Sequence, residues 1–267
     1  MRLNPGAAAA GFRLIAYDIL DSTNAEALRH ALEHRDEVSP LWITAREQTA
    51  GRGRRGNTWS SPPGNLYATL LLKDPAAPSR ASELSFVAAL AVYDAILDRA
   101  PNLRRSLALK WPNDVLCGGV KLAGILIESH RLDSGLALAV GVGVNCLHHP
   151  SQTSYLATDL EALGVQVSAG DLFLALSLAM MRRLDRWRGG EGFAAIRADW
   201  LERASGIGEE MQARLPGRTL VGRFEALDEN GCLLLRLADG SIETIVAGDV
   251  FAGTQQFAGD AEVHGAG

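Results

Sequence analysis

Cysteine is scarce in this chain. Its three cysteines, Cys117, Cys146 and Cys232, lie far apart in the sequence, without the close pairs that hold zinc or form a thioredoxin-like redox motif. A reducing compartment fits such a set best, so we expect a cytoplasmic protein. Long apolar runs are missing as well. No stretch approaches the roughly 18 residues of a membrane-spanning helix, and the N-terminal alanine run is too weakly apolar for a signal peptide, so no membrane partner is expected.

The chain also lacks an excess of positive charge. Its net charge is -5 and its pI is near 5.7, which gives no overall field that attracts nucleic acid, although a local basic loop could still bind phosphate. The 267 residues are 47% hydrophobic and 21% charged, as in ordinary globular proteins, so disorder and fibrous repeats are not indicated. This length allows one large domain or two unequal ones.

The hydrophobic periodicity predicts strands and helices in blocks rather than in strict alternation. Strands are expected at 13–17, 41–45, 66–73, 107–111, 115–117, 120–128 and 136–145. Helices are expected at 25–34, 82–99, 155–163, 171–187 and 191–204. Gly118-Gly119 supplies the positive φ angles of a tight hairpin between two strands. These blocks favour the α+β class, with a mixed β-sheet and helices packed on one side.

The pattern changes after residue 205. Short strands are expected at 210–215, 219–227, 232–237 and 242–247, joined by turn sequences such as Pro216-Gly217 and Asn230-Gly231. Such closely spaced strands predict a small β-barrel. We therefore expect a larger domain at 1–205, a barrel domain at 206–254 and a flexible tail at 255–267.

Residues 51–56, Gly-Arg-Gly-Arg-Arg-Gly, form what we call the arginine segment. Flexible backbone with guanidinium groups suits a multiply charged phosphate. The spacing matches the dinucleotide-binding fingerprint, but that motif must open a helix, and the residues that follow, with Pro62-Pro63, cannot form one. The ending of a P-loop is missing too. Taken alone, the segment is equally compatible with a solvated basic loop.

Polar residues gather again at 110–114, Lys-Trp-Pro-Asn-Asp, where a strand is expected to end. Pro112 keeps the preceding residue extended and removes a hydrogen-bond donor, which exposes Asn113 and Asp114 at the mouth of the strand. This pair suits magnesium, phosphate or an amine, while a plain turn is the simpler alternative.

Lys121 begins the most apolar strand, so it must reach the sheet edge or meet an anion.

Two further segments are ambiguous on their own. Thr23 and Glu26 have the spacing of a capping box, so residues 22–24 predict a helix N-cap, and a helix start can also hold a small polar ligand. Glycines at 141 and 143 lie on one face of a strand, which lets another backbone or a flat ligand approach. Asn145 is then placed to contact a nucleotide, and a buried strand end is the alternative.

Taken in order, several motifs resemble those of the biotin protein ligase family. They are Asp21-Ser22-Thr23-Asn24, Gln48 with the arginine segment, 110–114, 121–124 and 141–145. The resemblance runs from about Tyr17 through Asn145 and resumes in the C-terminal barrel. It implies a class II synthetase-like catalytic domain that binds biotin and ATP at 1–205, and an SH3-like barrel at 206–254.

The resemblance implies roles for individual residues. The biotin site would consist of Ser22, Thr23, Asn24, Gln48, Gly51, Arg52, Gly53, Arg54 and Lys121. The ATP or adenylate site would consist of Arg52, Arg54, Arg55, Trp59, Lys110, Asn113, Asp114, Lys121 and Asn145. Lys121, Arg54 and Asp114 would be the catalytic residues. Asp114 would either bind magnesium (Mg2+) or orient the acceptor amine.

The implied activity uses ATP and biotin as substrates, with Mg2+. It forms biotinyl-5'-adenylate, releases pyrophosphate and transfers biotin to a lysine of the biotin carboxyl carrier protein of acetyl-CoA carboxylase or a related carboxylase. A monomer and a homodimer are both compatible with the sequence. Many relatives carry an N-terminal helix-turn-helix that represses biotin synthesis, but only about sixteen residues precede the first family strand here, so DNA binding is not expected.

Two alternatives remain open at this point. A lipoate ligase, or another acyl-protein ligase of the same superfamily, shares the acyl-adenylate chemistry and the sheet. A nucleic-acid-binding module would use the arginine segment and the barrel to contact phosphates. Stabilisation by biotin but not lipoate would favour the biotin ligase, whereas strongly salt-dependent oligonucleotide binding would favour the module.

Overall fold

The computed structural model describes residues 1–35, 37, 40–133, 135–151, 153 and 155–252. The chain divides into two compact units. The first comprises Met1–Ser151 and Tyr155–Ser205, and the second comprises Gly206–Gly267 with Gln152–Ser154. The tail expected at 255–267 lies outside the described residues.

The described part of the first unit contains seven strands and five helices. The strands are β1 (Arg13–Leu20), β2 (Leu41–Gln48), β3 (Leu66–Lys73), β4 (Leu107–Lys110), β5 (Asp114–Cys117), β6 (Val120–Leu132) and β7 (Gly135–Val144). The helices are α1 (Pro5–Ala9), α2 (Thr23–Glu33), α3 (Glu83–Arg99), α4 (Ala169–Trp187) and α5 (Phe193–Leu201). Within the described ranges, no helix combines the length and apolarity needed to cross a bilayer.

The seven strands form one mixed sheet in the order β1-β2-β3-β7-β6-β5-β4. Only the β1–β2 pair is parallel, and the other neighbours are antiparallel. Strand β7 is central, with Gly141 opposite Thr69 of β3 and Leu126 of β6. Together with the helices, this sheet confirms the predicted α+β class.

Helix α2 lies on the opposite face of the sheet from α4. Its Ala27 and Ala31 pack in one cluster with Ile43 of β2, whereas the neighbouring Trp42 makes an edge-on ring contact with Phe173 of α4. Adjacent residues of a strand point to opposite faces. The expectation that the helices pack on one side is therefore wrong for α2. A parallel β1–β2 pair needs a crossover connection, and α2 supplies it.

Helix α2 is anchored at both ends. At its start, the Ser22 side chain caps the helix by accepting a backbone hydrogen bond of 3.4 Å, which confirms the predicted N-cap. At its end, the Lys73 ammonium donates to the carbonyl oxygens of His34, Arg35 and Glu37 at 2.7, 3.1 and 2.9 Å. A cation at a helix C-terminus also interacts favourably with the helix dipole. These contacts attach the C-terminal end of α2 to the end of strand β3.

The helix expected at 155–163 is wrong. Residues 155–158 instead run beside the start of β6, where Lys121 donates its N–H to the Leu156 carbonyl at 3.0 Å. Its own carbonyl accepts from the Thr158 N–H at 2.9 Å. Backbone groups that pair with a strand are not available to close helical turns, so the segment continues in turns to Gly164.

The second unit is a five-stranded antiparallel sheet in the order β11-β10-β9-β8-β12. Its strands are β8 (Glu210–Leu215), β9 (Arg218–Leu227), β10 (Leu233–Arg236), β11 (Ile242–Ile245) and β12 (Asp249–Ala252). Fully buried side chains such as Phe224, Leu233 and Leu235 form its core. Strand β12 was not expected from the sequence, and it pairs with β8.

Candidate active site

The candidate site lies over β6 and β7, on the face of the sheet that α2 covers. Glycines leave room there for two side chains. A Cβ atom added to Gly141 would lie 2.3 Å from Asn24 Oδ1, and one added to Gly143 would lie 2.6 Å from Trp59 Cε2. At Gly124 of β6 it would lie 3.0 Å from Trp59 Cζ3. The glycines therefore allow close approach, but the approaching groups are the side chains of Asn24 and Trp59 rather than the expected backbone or flat ligand.

A network of hydroxyl and amide groups joins α2, β2 and β3. Gln48 Oε1 accepts hydrogen bonds from the Thr23 backbone N–H at 2.8 Å and the Thr23 hydroxyl at 3.1 Å. Gln48 Nε2 donates to Ser61 Oγ at 2.8 Å. Thr69 Oγ1 lies 2.8 Å from Thr23 Oγ1 and donates to Asn24 Oδ1 at 2.7 Å. The structure thus brings three predicted biotin-site residues together in a buried polar patch.

Thr69 and Ser61 were not predicted. Thr69 is fully buried and is a hydroxyl-bearing residue in the middle of the largely apolar strand Leu66–Lys73. That signal was present in the sequence, because a buried hydroxyl needs a hydrogen-bond partner. Ser61 Oγ donates to the Trp59 carbonyl at 2.9 Å, which links the polar patch to the loop behind the arginine segment.

Ser22 and Asp21 precede α2. Ser22 is 2% exposed, and its backbone N–H donates to Asp21 Oδ1 at 2.7 Å. Asp21 also forms a bidentate pair with Arg29 at 2.7 and 2.9 Å. The hydrogen bond from Arg29 lowers the pKa of the Asp21 carboxyl to about 2. The turn that leads into the polar patch is therefore held by a permanently ionised carboxylate at neutral pH.

The arginine segment is attached to β6 and to the β4–β5 connection. Arg52 Nη1 donates to Glu128 Oε1 at 3.1 Å, and Arg54 Nη1 donates to Asn113 Oδ1 at 3.3 Å. Asn113 is itself fixed, since its Nδ2 donates to the Ile125 carbonyl at 2.6 Å. Arg52 and Arg54 thus connect the arginine segment to other elements of the first unit.

The backbone of the arginine segment confirms that it does not open a helix. Residues Arg54–Gly56 form one short 3-10 turn, with Arg55 at φ 54°. An added Cβ at Gly51 would lie 2.3 Å from the Trp59 carbonyl oxygen, and one at Gly53 would lie 3.2 Å from the Asn57 carbonyl oxygen. Both glycines therefore allow the segment to fold back on itself, which agrees with the rejection of the dinucleotide-binding fingerprint.

Lys121 is a largely enclosed cation of the predicted set. Its Nζ lies 2.7 Å from Asp114 Oδ1, and both side chains are 17% exposed. The same Nζ lies 5.4 Å from the ring centroid of Trp59 and 4.9 Å from that of Tyr155. A carboxylate and two ring faces thus surround one ammonium group, and both kinds of partner stabilise a cation. Tyr155 was not predicted as part of this site.

One buried polar atom beside Lys121 has an unfilled hydrogen bond. Within the part of the chain that the structure describes, Trp59 Nε1 has no hydrogen-bond partner. Asp114 Oδ1 lies 2.7 Å from the Lys121 ammonium, so the charge of this carboxylate is paired. Buried polar groups usually find partners. The unfilled indole N–H therefore fits a site that a ligand completes.

The remaining predicted residues lie around this cluster. Asn145 is 3% exposed, and its Nδ2 donates to the Thr158 carbonyl at 3.0 Å, so this side chain supports the segment beside Lys121. Lys110 is half-buried and lies opposite Asp114 in the β4–β5 pair. Arg55 is exposed.

The side chains near Asp114 determine whether this site can hold a magnesium ion. Among the described residues, no three His, Cys, Asp or Glu side chains come together as metal ligands. Magnesium commonly binds through one or two carboxylates together with substrate phosphates. The Asp114 carboxylate therefore fits a magnesium ion that a nucleotide brings with it, and the described residues do not form a resident metal site.

Comparison with known proteins tests the resemblance. Residues 16–145 match the Biotin/lipoate A/B protein ligase family, and residues 206–253 match the Biotin protein ligase C terminal domain. A biotin--[acetyl-CoA-carboxylase] ligase from Paracoccus denitrificans is 43% identical over 240 residues, which cover 87% of this chain and 98% of that protein. A protein of the same name from Mycobacterium tuberculosis is 33% identical, covering 86% of this chain and 85% of its own length.

Solved structures agree with the sequence comparison. The biotin protein ligase from Aquifex aeolicus in complex with biotin and ATP aligns with a TM-score of 0.75 at 26% identity. The alignment covers 90% of this chain and 99% of that structure. The first family match includes the arginine segment, the 110–114 motif and Lys121. The chain belongs to the biotin protein ligase family.

Proposed function

We propose that this chain activates biotin with ATP as biotinyl-5'-adenylate and transfers the biotin to a lysine of a carrier protein. The Lys121 ammonium, paired with Asp114 next to the Asn113 that Arg54 contacts, carries the proposal in a chain of this family. Two of the relatives compared above are named as ligases of acetyl-CoA carboxylase. The acceptor is therefore the biotin carboxyl carrier protein of that enzyme or of a related biotin-dependent carboxylase.

In this proposal, Ser22 and the polar patch of Thr23, Asn24 and Gln48 bind the ureido ring of biotin. A ureido ring presents two N–H donors and one carbonyl acceptor. Asn24 Nδ2 uses both of its hydrogens, on the Leu126 carbonyl at 3.2 Å and on a carboxylate of β6 at 2.9 Å. Its Oδ1 accepts from one hydroxyl and keeps a second lone pair. Asn24 therefore acts as an acceptor toward the ring.

The arginine segment serves the carboxylate and the phosphates. Arg52 and Arg54 bring guanidinium groups that match these anions in geometry and charge, while Gly51 and Gly53 allow the backbone to fold closely. The mixed anhydride of the adenylate is prone to hydrolysis. A segment that closes over it excludes water, which explains why flexible glycine and positive charge occur together. Arg55, on the exposed side of the turn, adds charge toward the phosphates.

The nucleotide lies next to Lys121 in this proposal. Trp59 packs under the adenine, and the unfilled hydrogen bond of its indole N–H supports a ligand at that place. Lys110 and Asn113 lie at the nearby strand mouth, where they can reach phosphate oxygens. Asn145 contributes by holding the segment that carries Tyr155.

The first reaction joins two anions. A carboxylate oxygen of biotin attacks the α-phosphorus of ATP, and the bond to the pyrophosphate leaving group breaks. Two like charges at about 4 Å repel by about 4 kcal/mol when the effective dielectric constant is near 20, so a fixed cation between them lowers the barrier. Lys121 supplies that cation, with Arg54 beside it. A magnesium ion bound with the nucleotide would be held by its phosphates near Asp114 and would supply positive charge to the departing pyrophosphate.

The second reaction needs a neutral acceptor amine. The lysine nitrogen of the carrier attacks the acyl carbon, the bond to AMP breaks, and the amine proton is lost to solvent or to a nearby base. We assign Asp114 to orient this amine. Its carboxylate already holds an ammonium at 2.7 Å, which supports an amine partner more directly than a magnesium ion.

We further propose that residues 1–205 form the catalytic domain and 206–254 an accessory SH3-like domain. The beginning of the second compact unit at Gly206 supports this division, as does the start of the C-terminal family match at the same residue. That the protein is cytoplasmic and that it forms a homodimer remain predictions.

Mass spectrometry tests the activity. A carrier domain incubated with this protein, ATP and biotin should gain one biotinyl group on one lysine, and a parallel reaction with lipoate should give none. Transfer of lipoate alone would contradict the proposal.

Lys121→Ala tests the mechanism. We expect this substitution to abolish biotin-dependent exchange between ATP and pyrophosphate, because removing a positioned transition-state charge typically costs about 100-fold to 1000-fold in rate. Circular dichroism should show an intact fold. Arg99→Ala, which removes a cation from α3, serves as the control and should exchange normally. Undiminished exchange by Lys121→Ala would refute the assigned role.

A further inference from the structure

We propose that Glu128 is a positioning residue that couples the arginine segment to the biotin pocket, an inference that rests on the proposed function. Glu128 follows the apolar residues 125–127 on β6 and is 26% exposed through its side chain. One carboxylate oxygen accepts from Arg52 Nη1 at 3.1 Å, and the other accepts from Asn24 Nδ2 at 2.9 Å. A single side chain thus bridges the arginine segment and the first turn of α2.

The hydrogen bond between Glu128 and Asn24 determines which end of the Asn24 amide faces the substrate. A carboxylate only accepts hydrogen bonds, so Glu128 holds the Nδ2 end of the amide toward β6. The Leu126 carbonyl acts in the same direction at 3.2 Å, and Thr69 holds the Oδ1 end at 2.7 Å. Without Glu128 one of these three restraints is lost, and the amide that must accept from the ureido ring becomes less well ordered.

The contact with Arg52 preorganises the arginine segment. The side-chain contacts of the segment include Arg52 to Glu128 and Arg54 to Asn113. A segment that is already attached loses less conformational freedom when a ligand binds, and preorganisation of this kind raises affinity. Loss of the Glu128 carboxylate removes one of these contacts, so the segment must lose more conformational freedom when a ligand binds. Biotin binding and retention of the adenylate are therefore weakened.

Glu128 acts through other residues and reaches no reacting atom in this proposal. We therefore expect its loss to raise the KM for biotin and the rate of carrier-independent adenylate hydrolysis, while kcat for ATP/pyrophosphate exchange stays within about twofold of the wild type. A residue needed only for folding would lower the unfolding temperature and the active fraction without this split between KM and kcat.

Two substitutions separate the two contacts. Glu128→Gln keeps an oxygen that can accept from Asn24 but removes the charge that attracts Arg52, so the biotin KM should rise about threefold, as for a half-exposed ion pair. Glu128→Ala removes both contacts and should raise the KM about tenfold or more. Glu225→Gln is the matched control. It breaks a similar pair with Arg236, at 2.9 and 3.0 Å, in the second unit and should leave every parameter unchanged.

A double-mutant cycle with Arg52→Gln tests the coupling. In that background Glu128→Gln should have no further effect on the biotin KM. The proposal is overturned if both Glu128 variants retain wild-type KM and adenylate retention, or if the effect of Glu128→Gln persists undiminished without Arg52. It is also overturned if kcat falls as much as KM rises. If Glu128→Ala fails to fold, Glu128→Gln carries the test. A wild type that never biotinylates the carrier would refute the proposed function instead.

Discussion

Gly141→Ala tests the close approach between β7 and α2. Gly141 lies in the middle of β7, and its φ is not among the positive values of this chain, so alanine suits the backbone. The new Cβ would lie 2.3 Å from Asn24 Oδ1 and 2.9 Å from its Cγ. Ordinary contacts between heavy atoms are about 3.5 Å, so Asn24 must move by roughly 1 Å.

The displacement has two separate consequences. Forcing an extra methyl group into a packed site costs about 1–3 kcal/mol, and alanine in a strand regains about 0.5–1 kcal/mol relative to glycine. We expect a net destabilisation between about 0 and 2.5 kcal/mol. A misplacement of 1 Å in an active site can cost about 100-fold in rate, and we expect biotin affinity to fall by a similar factor, which corresponds to about 2.7 kcal/mol.

Isothermal titration calorimetry with biotin and urea unfolding measure the two effects. Gly170→Ala in α4 is the control, since its new Cβ would meet only Ser168 Oγ, at 3.7 Å, and biotin affinity should not change. Adding Asn24→Ala to Gly141→Ala removes the clash but also the hydrogen bonds of the Asn24 side chain, so stability should recover only in part while biotin affinity stays low. Wild-type affinity in Gly141→Ala, or recovery of affinity in the double variant, would refute the placement of Asn24 in the biotin site.

Two further predictions concern titratable groups. Burial raises the pKa of the Cys146 thiol to about 12, so it should resist a disulfide reagent at mildly alkaline pH until urea unfolds the chain; rapid labelling of Cys146 in the folded protein would contradict this. Arg29 lowers the pKa of Asp21 from 3.8 to about 2, so the pair contributes stability above pH 3.8 that is lost as the pH falls toward 2. Because Asp21 is 44% exposed, this contribution is below about 1 kcal/mol, and the difference in unfolding free energy from Asp21→Asn should shrink with acidity; a constant difference would contradict the assignment.

Local signals predicted much of the fold. The hairpin glycines Gly118 and Gly119 have φ values of +60° and +81°, as the turn requires, and the cap at Ser22 is in place. Strands β3 and β5–β7 and helices α3 and α4 fall within a few residues of their expected bounds. In each case the periodicity or the turn chemistry acts over a few neighbouring residues, which a single sequence reveals directly.

Contacts between distant residues could not be predicted in the same way. Glu128 and Asn24 are separated by 104 positions, and nothing local to either residue indicates the other. The segment with Tyr155 has an apolar pattern like that of a helix, but its backbone groups pair with Lys121 instead. The face occupied by α2 depends on the parallel pairing of β1 and β2, which is a property of the whole sheet.

The anchoring of α2 by Lys73 makes the two walls of the candidate site unequal. Sliding α2 along its axis would break three hydrogen bonds to one ammonium at once, so the wall that carries Thr23 and Asn24 has its shape before any ligand arrives. The guanidinium contacts of Arg52 and Arg54 can break one at a time. We therefore expect the arginine segment, rather than the wall that carries Thr23 and Asn24, to change its conformation when ligands bind.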